Sequence, residues 1–394
     1  MTTVPKGFSF AVAAAGFKRA DRNDMALIYS DRPATVAGVF TTNKFQAAPV
    51  LVGKAALEKG TTFRAVLVNT GQANACTGEE GLANCRATLD LVGKALGLAP
   101  EQILPGSTGV IGAQLKMDLW AAAVPALAAS LGKAAPSDAA RAIMTTDTFP
   151  KLSARTVQLP GGEVRVLGMC KGAGMICPTM ATMLGYILCD AEVAPGPWRE
   201  LLVACADKSF NALTVDGDTS TNDTVLALAN GASGVAATDA KSLKLLQQAV
   251  LEVCQELAYR IVQDAEGGTK VAHITVRGAK SAPQAELAAR TIGNSPLVKT
   301  ALFGCDPNWG RIMAALGRSG AEFDPNAVVL TIGGILTFEN GQPAPVDLDA
   351  LLAPVMRHQD IEIGLDLHAG RGSFTLLASD LTKMYVSINA DYRS

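Results

Sequence analysis

The sequence is poor in aromatic and charged residues. Aromatic residues make up 5% of the 394 residues and charged residues 18%, against the roughly 25% charge that is usual in soluble domains. The net charge is −2 and the pI is about 6.0. Such a chain lacks the basic face and the stacked aromatic rings of a nucleic-acid-binding protein. Nucleic acid and anionic membrane surfaces are therefore not expected as partners.

Histidine is scarce, and the cysteines are scattered. The histidines are His273, His358 and His368, and no two of the eight cysteines form a CxxC pair. Without an HExxH motif or a Cys/His cluster at zinc spacing, no metal site is expected. A serine triad is disfavoured because no histidine lies in a glycine-rich elbow. We interpret the cysteines as free, mostly buried thiols in a reducing compartment.

Signals for export or membrane insertion are weak. Residues 7–17 resemble a short signal-peptide core, but Phe8, Phe10 and Val12 alternate with small residues as in a β-strand. Residues 172–189 carry no charge, yet Pro178 and three glycines disfavour a continuous membrane-spanning helix. The sequence therefore predicts a soluble, cytoplasmic protein.

Strand-like and helical runs alternate along the chain, which is typical of a mixed α/β protein. With 49% hydrophobic residues, the chain can bury a large core, and its length predicts two domains. The linker-like composition around 280–290 places the boundary there, giving a main domain of residues 1–283 and a C-terminal α/β domain of residues 284–394. The stretches 327–338, 360–370 and 373–392 indicate that this second domain is rich in strands.

Local patterns predict individual elements. Apolar residues at spacings of three and four predict the longest helix over 238–262. Residues 154–169 predict two strands joined by a Pro-Gly-Gly turn. Ser137 is a candidate helix N-cap, and Pro125 predicts a kink or two shorter helices within 118–132.

Glycine- and hydroxyl-rich segments are the candidate sites. The segment 216–223 begins like a twelve-residue calcium loop, but the sixth position from 216 is Thr221 instead of Gly and the twelfth is Ala227 instead of Glu, so a tight polar turn is the better interpretation. The segments 104–112, 142–151 and 171–186 have no motif of a phosphate-binding loop. Spacing alone names no nucleophile in them, and conformational need would explain their glycines equally well.

Long motifs in one order identify the family that the chain resembles. They include QANACTG (72–78), STGVIG (107–112), TTDT (145–148), KGAGMICPTMATML (171–184), SFNALTVDGDTSTND (209–223), DAEGGTK (264–270), GCDPNWGR (304–311) and NADYRS (389–394). Together they resemble the ornithine acetyltransferase family, the bifunctional glutamate N-acetyltransferases of arginine biosynthesis. The resemblance implies a layered αββα-type sandwich, belonging to a self-processing N-terminal-threonine enzyme, with a smaller strand-rich C-terminal domain.

The same resemblance implies a precursor that cuts itself between Ala181 and Thr182, giving chains 1–181 and 182–394. The Thr182 hydroxyl would attack the Ala181 carbonyl, and the ester would hydrolyse. The freed α-amine, with a pKa of about 7.7–8.0, suits a general base at neutral pH. An N-terminal threonine can then activate its own hydroxyl without a histidine.

Further roles carried by the resemblance concern the substrates. Thr108 and Gly109 would form an oxyanion hole, which stabilises charge developing on the acetyl oxygen. The residues matching substrate contacts are Thr145, Lys171, Thr182, Glu266, Asn389 and Ser394. Lys171 would meet a substrate carboxylate and Glu266 the side-chain ammonium of ornithine, unless Glu266 only ends the long helix and pairs with Lys270.

The resemblance also implies the reaction, in which the acetyl group would pass from N2-acetylornithine to Thr182 and then to glutamate. No cofactor is implied, acetyl-CoA is a candidate co-substrate, and two copies of each chain would assemble as α2β2.

Five positions depart from the family pattern. Thr179, Cys189 and Ser394 stand where the family usually has Asn, Thr and Thr, and DAEGG replaces the commoner DGEGA. None of these changes removes the nucleophile, although Thr179 bears on the rate of self-cleavage. Two alternatives remain open at this point: a related self-processing aminopeptidase or amidase that uses water as acceptor, and a ligand-binding protein that never matures.

Overall fold

The computed structural model describes residues 3–17, 22–60, 62–177 and 183–391. Two mixed β-sheets carry helices packed on their faces, so the predicted mixed α/β class is confirmed. Within the described residues, no helix is both long enough and apolar enough to cross a membrane. Part of the uncharged run 172–189 is instead a buried strand, Leu184–Cys189.

The first sheet has the strand order β4-β3-β2-β9-β7-β6-β5, and β1 pairs with β2. The pairs β3–β4 and β7–β9 are parallel, whereas the hairpin β5–β6 is antiparallel, as predicted for 154–169. Its strands are β1 Phe8–Ala13, β2 Met25–Phe40, β3 Thr62–Gln72, β4 Ile103–Val110, β5 Lys151–Leu159, β6 Gly162–Lys171, β7 Leu184–Cys189 and β9 Thr224–Ala229.

The second sheet has the order β13-β12-β11-β14-β10-β15-β8. Its strands are β8 Leu213–Thr214, β10 Val271–Ala279, β11 Val329–Ile332, β12 Ile335–Glu339, β13 Gln342–Pro343, β14 Asp360–Asp366 and β15 Gly372–Ser379. Two of these strands, β8 and β10, precede residue 284, so the chain enters the second sheet before the predicted boundary. The division into 1–283 and 284–394 stays a prediction.

Helices pack on both sheets. Besides a 3₁₀ turn at Pro100–Gln102, they are α1 Ala48–Lys59, α2 Gly78–Leu96, α3 Met117–Ala129, α4 Pro136–Ala142, α5 Pro195–Asp207, α6 Ala240–Gln263, α7 Ala282–Gly293, α8 Pro296–Phe303, α9 Trp309–Gly317, α10 Leu348–Met356 and α11 Lys383–Asp391.

The long helix α6 confirms the helix predicted over 238–262. It begins after Asp239, whose carboxylate accepts from the open N–H groups of Lys241 and Ser242. Its apolar stripe packs on the first sheet together with α5. Gly168 in β6 makes this approach close, because a Cβ there would lie 2.5 Å from the Val253 side chain. The apolar spacing of the sequence therefore predicted both the position of α6 and its buried face.

The second sheet is covered on one face. Ala272, Ile274 and Val276 of β10 alternate into a core shared with α7, while His273, Thr275 and Arg277 line the opposite, open face. This period of two is what a strand with one solvated face requires.

Three local predictions are corrected. Helix α4 begins at Pro136, the favoured residue for a first helical position, so Ser137 is not the N-cap. Helix α3 runs through Pro125 as one helix rather than two shorter ones, and the carbonyl that the proline leaves unpaired belongs to exposed Ala121; the kink stays a prediction. The end of the predicted strand-rich run 373–392 is helix α11, whose first turn is capped because the Thr382 hydroxyl accepts from the Tyr385 backbone N–H at 3.1 Å.

Candidate active site

The carboxyl ends of β3 and β4 form one wall of the candidate site. Parallel pairing sets Thr70 beside Thr108 and Gly71 beside Gly109. Gly109 has a φ of +132°, and a Cβ there would lie 2.3 Å from the Gly71 carbonyl carbon. Glycine is therefore required at 109 by conformation and by space. Thr108 is buried beside it.

The polar segment before β9 ties this wall to the rest of the site. The Asn222 amide donates to the carbonyl of Ala73 at 2.6 Å and to that of Ser107 at 2.8 Å. The Thr221 hydroxyl donates to the Asn222 side chain at 2.6 Å. The tight polar turn predicted over 216–223 thus fixes the end of β4 in place.

Lys171, at the end of β6, supplies a buried cation. Its ammonium lies 4.0 Å from the carboxylate of Asp147. Burial is the largest influence on Lys171 and lowers its pKa from the ordinary value, while the neighbouring Asp147 opposes that effect. The loop 143–150 brings Thr145 to the same place, because Asp147 accepts from the Thr145 backbone N–H at 3.0 Å.

Glu266 supplies the opposite charge. Its backbone N–H donates to the Ala173 carbonyl at 2.9 Å, and its carboxylate accepts from the Asn389 amide of α11 at 2.7 Å. Lys270 instead donates its ammonium to the carbonyls of Met356 and His358, both at 2.8 Å. The alternative pairing of Glu266 with Lys270 is therefore not observed.

The segment that leads towards the predicted cleavage point is held by Asp216. Its carboxylate accepts from the backbone N–H of Met175 at 2.6 Å and of Ile176 at 2.7 Å. Met175 has a φ of +56°, a left-handed conformation that is uncommon for a residue with a side chain. The Tyr385 hydroxyl of α11 donates to the same carboxylate at 3.3 Å. Asp216 and Tyr385, far apart in the sequence, thus act together to constrain this segment.

Asp223 lies on the other side of the predicted cleavage point. One carboxyl oxygen accepts from the Met183 backbone N–H at 3.1 Å, and the other has no hydrogen-bond partner among the described residues. Asp223 is 1% exposed, and this burial raises its pKa well above the usual value. Burial therefore shifts this carboxyl towards its protonated form, while the nearby Lys171 opposes the shift.

One pocket brings the predicted residues together. It is lined by Ala73, Thr108, Gly109, Ile111, Thr145, Thr146, Lys171, Gly174, Met175, Ser220, Thr221, Asn222, Glu266 and Asn389. Every sequence-predicted site residue that the structure describes is in this list. Ala181, Thr182 and Ser394, together with Thr179, lie outside the described residues, and the roles assigned to the site residues stay predictions.

Sequence reasoning missed several residues of this site. Asn222 lines the pocket but was interpreted only as part of a polar turn, and Asp147 was not singled out at all. The signal was present, because both lie in motifs that carry the family resemblance, TTDT and STND. Their spacing gave no reason to separate a ligand contact from a turn.

Comparison with known proteins now identifies the family. The sequence pattern that defines the ArgJ family matches residues 9–394. The chain belongs to the ArgJ family. The arginine biosynthesis bifunctional protein ArgJ of Nitratidesulfovibrio vulgaris is 56% identical over 394 residues, covering 100% of both chains. The ArgJ protein of Geobacter sulfurreducens is 47% identical over 391 residues, covering 99% of each.

A solved structure agrees with this membership. The crystal structure of the ArgJ protein of Bacillus halodurans is 35% identical and superimposes with a TM-score of 0.50. It covers 52% of this chain and 98% of the solved one. The resemblance to the ornithine acetyltransferase family is therefore confirmed. As an ArgJ family member, the chain is an acyltransferase that carries out acetyl transfer in arginine biosynthesis, and the hydrolase alternative is not favoured.

Proposed function

We propose that this ArgJ family member moves the acetyl group of N2-acetylornithine to glutamate through an ester on Thr182. The observation that carries the proposal is the shared pocket of Thr108, Gly109, Lys171 and Glu266. These residues come from distant parts of the sequence, yet they line one cavity whose wall includes Met175, close before the predicted cleavage point in the chain.

Maturation comes first in this scheme. The Thr182 hydroxyl attacks the Ala181 carbonyl carbon, the peptide nitrogen leaves as the Thr182 α-amine, and water hydrolyses the resulting ester. Asp216 supports this step by holding Met175 and Ile176 a few residues upstream. The Bacillus halodurans chain covers about half of this chain, as a separately processed piece would. The two pieces stay together, and two copies of each assemble as α2β2.

Acetyl transfer follows in two balanced steps. The α-amine of Thr182 takes the hydroxyl proton as the oxygen attacks the acetyl carbonyl, and it returns that proton to the departing ornithine amine. Glutamate then attacks the acetyl ester by the reverse sequence and leaves as N-acetylglutamate. The Gly109 N–H and the Thr108 hydroxyl stabilise the oxyanion of both tetrahedral intermediates. Acetyl-CoA serves as a second acetyl donor by the same route.

Two opposite charges orient the substrates. The Lys171 ammonium binds the substrate α-carboxylate, and Glu266 binds the side-chain ammonium that distinguishes ornithine from glutamate. Thr145, Asn389 and Ser394 complete the contacts. The nucleophile and the base of the proposed steps both belong to Thr182, so the reaction needs no resident cofactor. The substrates are small, charged metabolites of the cytoplasm.

Mass spectrometry of the purified protein tests the proposal directly. The wild type is expected as two chains, the second starting at Thr182, and Thr182→Ala as one inactive chain. Acetylornithine with glutamate should give N-acetylglutamate faster than free acetate. A single intact wild-type chain that still transfers acetyl groups would refute the N-terminal nucleophile, and acetate as the main product would refute glutamate as acceptor.

A further inference from the structure

Asp147 lies behind the substrate pocket, at the centre of several contacts. Its carboxylate accepts from the backbone N–H of Thr145 at 3.0 Å and of Gly172 at 2.7 Å. It also accepts from the ammonium of Lys151 at 2.7 Å and lies 4.0 Å from that of Lys171. One side chain thus fixes the backbone at Thr145 and next to Lys171, the two predicted substrate contacts on this side of the pocket.

These contacts belong to a buried row of four side chains of alternating charge, from Lys171 through Asp147 and Lys151 to Asp264. Beyond Lys151 lies Asp264, 2.5 Å from the same ammonium. The side chains of Asp147 and Lys151 are fully buried, and those of Asp264 and Lys171 are 2% and 5% exposed. Buried ion pairs stabilise a fold little more than apolar packing would, because desolvation offsets their attraction. Because this row of ion pairs ends at Lys171 in the pocket, we expect it to affect substrate binding more than the stability of the fold.

We propose that Asp147 is a positioning residue, which keeps Lys171 charged and aimed at the substrate carboxylate. This inference rests on the proposed role of Lys171 as a substrate contact. It assigns to Asp147 no contact with the reacting atoms. The carboxylate acts through the Lys171 ammonium and through the backbone N–H groups that it holds.

The charge of Lys171 depends on four neighbouring groups. Burial is the largest influence and lowers the Lys171 pKa, and the ammonium of Lys151 lowers it further. Asp147 is the strongest opposing group, and Glu266 and Asp223 also raise the Lys171 pKa. Removing the negative charge of Asp147 while Lys151 remains should therefore lower the Lys171 pKa towards neutrality. Lys171 would then lose its proton at a lower pH.

The pH dependence of kcat/KM measures this effect. For the wild type and for Asp147→Asn, kcat/KM with acetylornithine is measured from about pH 6 to about pH 10. The alkaline limb of the Asp147→Asn profile is expected about one pH unit or more lower, with kcat/KM reduced roughly tenfold at neutral pH. Adding Lys171→Arg to Asp147→Asn should abolish that limb, since arginine does not titrate in this range.

Asp264→Asn is the matched control, because it removes another buried carboxylate from the same lysine, Lys151. It should lower thermal stability and leave the alkaline limb where the wild type has it. If Asp147→Asn does not fold, adding Lys151→Met removes the unpaired cation, and a smaller downward shift is expected because the Lys151 ammonium itself lowers the Lys171 pKa. The proposal is overturned if the Asp147 variants keep the wild-type limb, or if Asp264→Asn moves it equally.

A separate variant distinguishes failure of this inference from failure of the proposed function. Lys171→Met should lower kcat/KM whatever the role of Asp147. A Lys171→Met enzyme with normal kcat/KM would refute Lys171 as a substrate contact. A weakened Lys171→Met beside an unshifted Asp147→Asn profile would refute only the role of Asp147.

Discussion

Replacing Gly109 by alanine tests the oxyanion hole through a single methyl group. An added Cβ would lie 2.3 Å from the Gly71 carbonyl carbon, 2.6 Å from the Gln72 nitrogen and 2.7 Å from the Gly71 Cα. All three atoms belong to the backbone of the neighbouring parallel strand, so no side chain can rotate away. The φ of +132° is also one that alanine adopts only under strain.

The size of the effect follows from these distances. Carbon atoms in van der Waals contact are about 3.5–4.0 Å apart, so the backbone at 109 must move by roughly 1 Å. A displacement of that size at a reacting group costs on the order of a hundredfold in rate, and losing one oxyanion donor costs about 10²–10³ in kcat. Gly109→Ala is therefore expected to lower kcat by about a hundredfold or more, with a much smaller change in KM.

Steady-state kinetics with acetylornithine and glutamate, alongside thermal unfolding, measure the prediction. The matched control is Gly112→Ala in the same motif, where φ is +85° but no atom lies within 4 Å of the added Cβ. It carries backbone strain without the clash, so it should cost about 1 kcal/mol of stability and leave kcat near normal. A folded Gly109→Ala enzyme with normal kcat would refute the oxyanion role, as would an equal loss in both variants.

The remaining predictions concern three carboxyl groups. Glu266→Gln should lower kcat/KM for acetylornithine roughly ten- to a hundredfold, from the loss of a charge-assisted hydrogen bond, with self-cleavage intact; unchanged kinetics in folded protein would assign Glu266 to structure. Burial raises the pKa of Asp223 and so favours the protonated form that an amide resembles, so Asp223→Asn should keep kcat within a few-fold; a large loss of kcat would mean that Asp223 works as a carboxylate. Burial alone would raise the pKa of Asp147, but Lys171 and Lys151 hold it at about 2, against an ordinary 3.8. Its contribution of about 2 kcal/mol is therefore present above pH 4 or so and lost as the pH falls towards 2; Asp147→Asn should flatten this acid limb in equilibrium unfolding, and an unchanged limb would contradict the ion pairs.

Some features of the fold follow from local sequence. The helix over 238–262 and the hairpin over 154–169 were predicted because periodicity and turn residues act within a few neighbouring positions. The same locality explains one failure, because nothing local shows that Ala121, one turn before Pro125, is exposed. At the start of helix α4 the local signal was present, since proline is favoured at the first helical position, but it was missed.

The family motifs named the site residues before the structure showed where they lie. Thr108, Lys171, Glu266 and Asn389 were taken residue by residue from that resemblance, and all four line one pocket. Spacing could not have grouped them, since they lie up to 281 positions apart in the chain. The sequence by itself therefore determined the family, the mixed α/β class and the candidate residues.

Only the tertiary structure decided which charges interact. Asp147 lies beside Lys171 because the end of β6 and the loop 143–150 meet in space. Asp264 pairs with Lys151 because α6 ends at the same place. The space that a Cβ at Gly109 would need is occupied by the backbone of Gly71 on a different strand. Desolvation, ion pairing and steric exclusion depend on distances between residues far apart in sequence, and those distances exist only once the sheets and helices have packed.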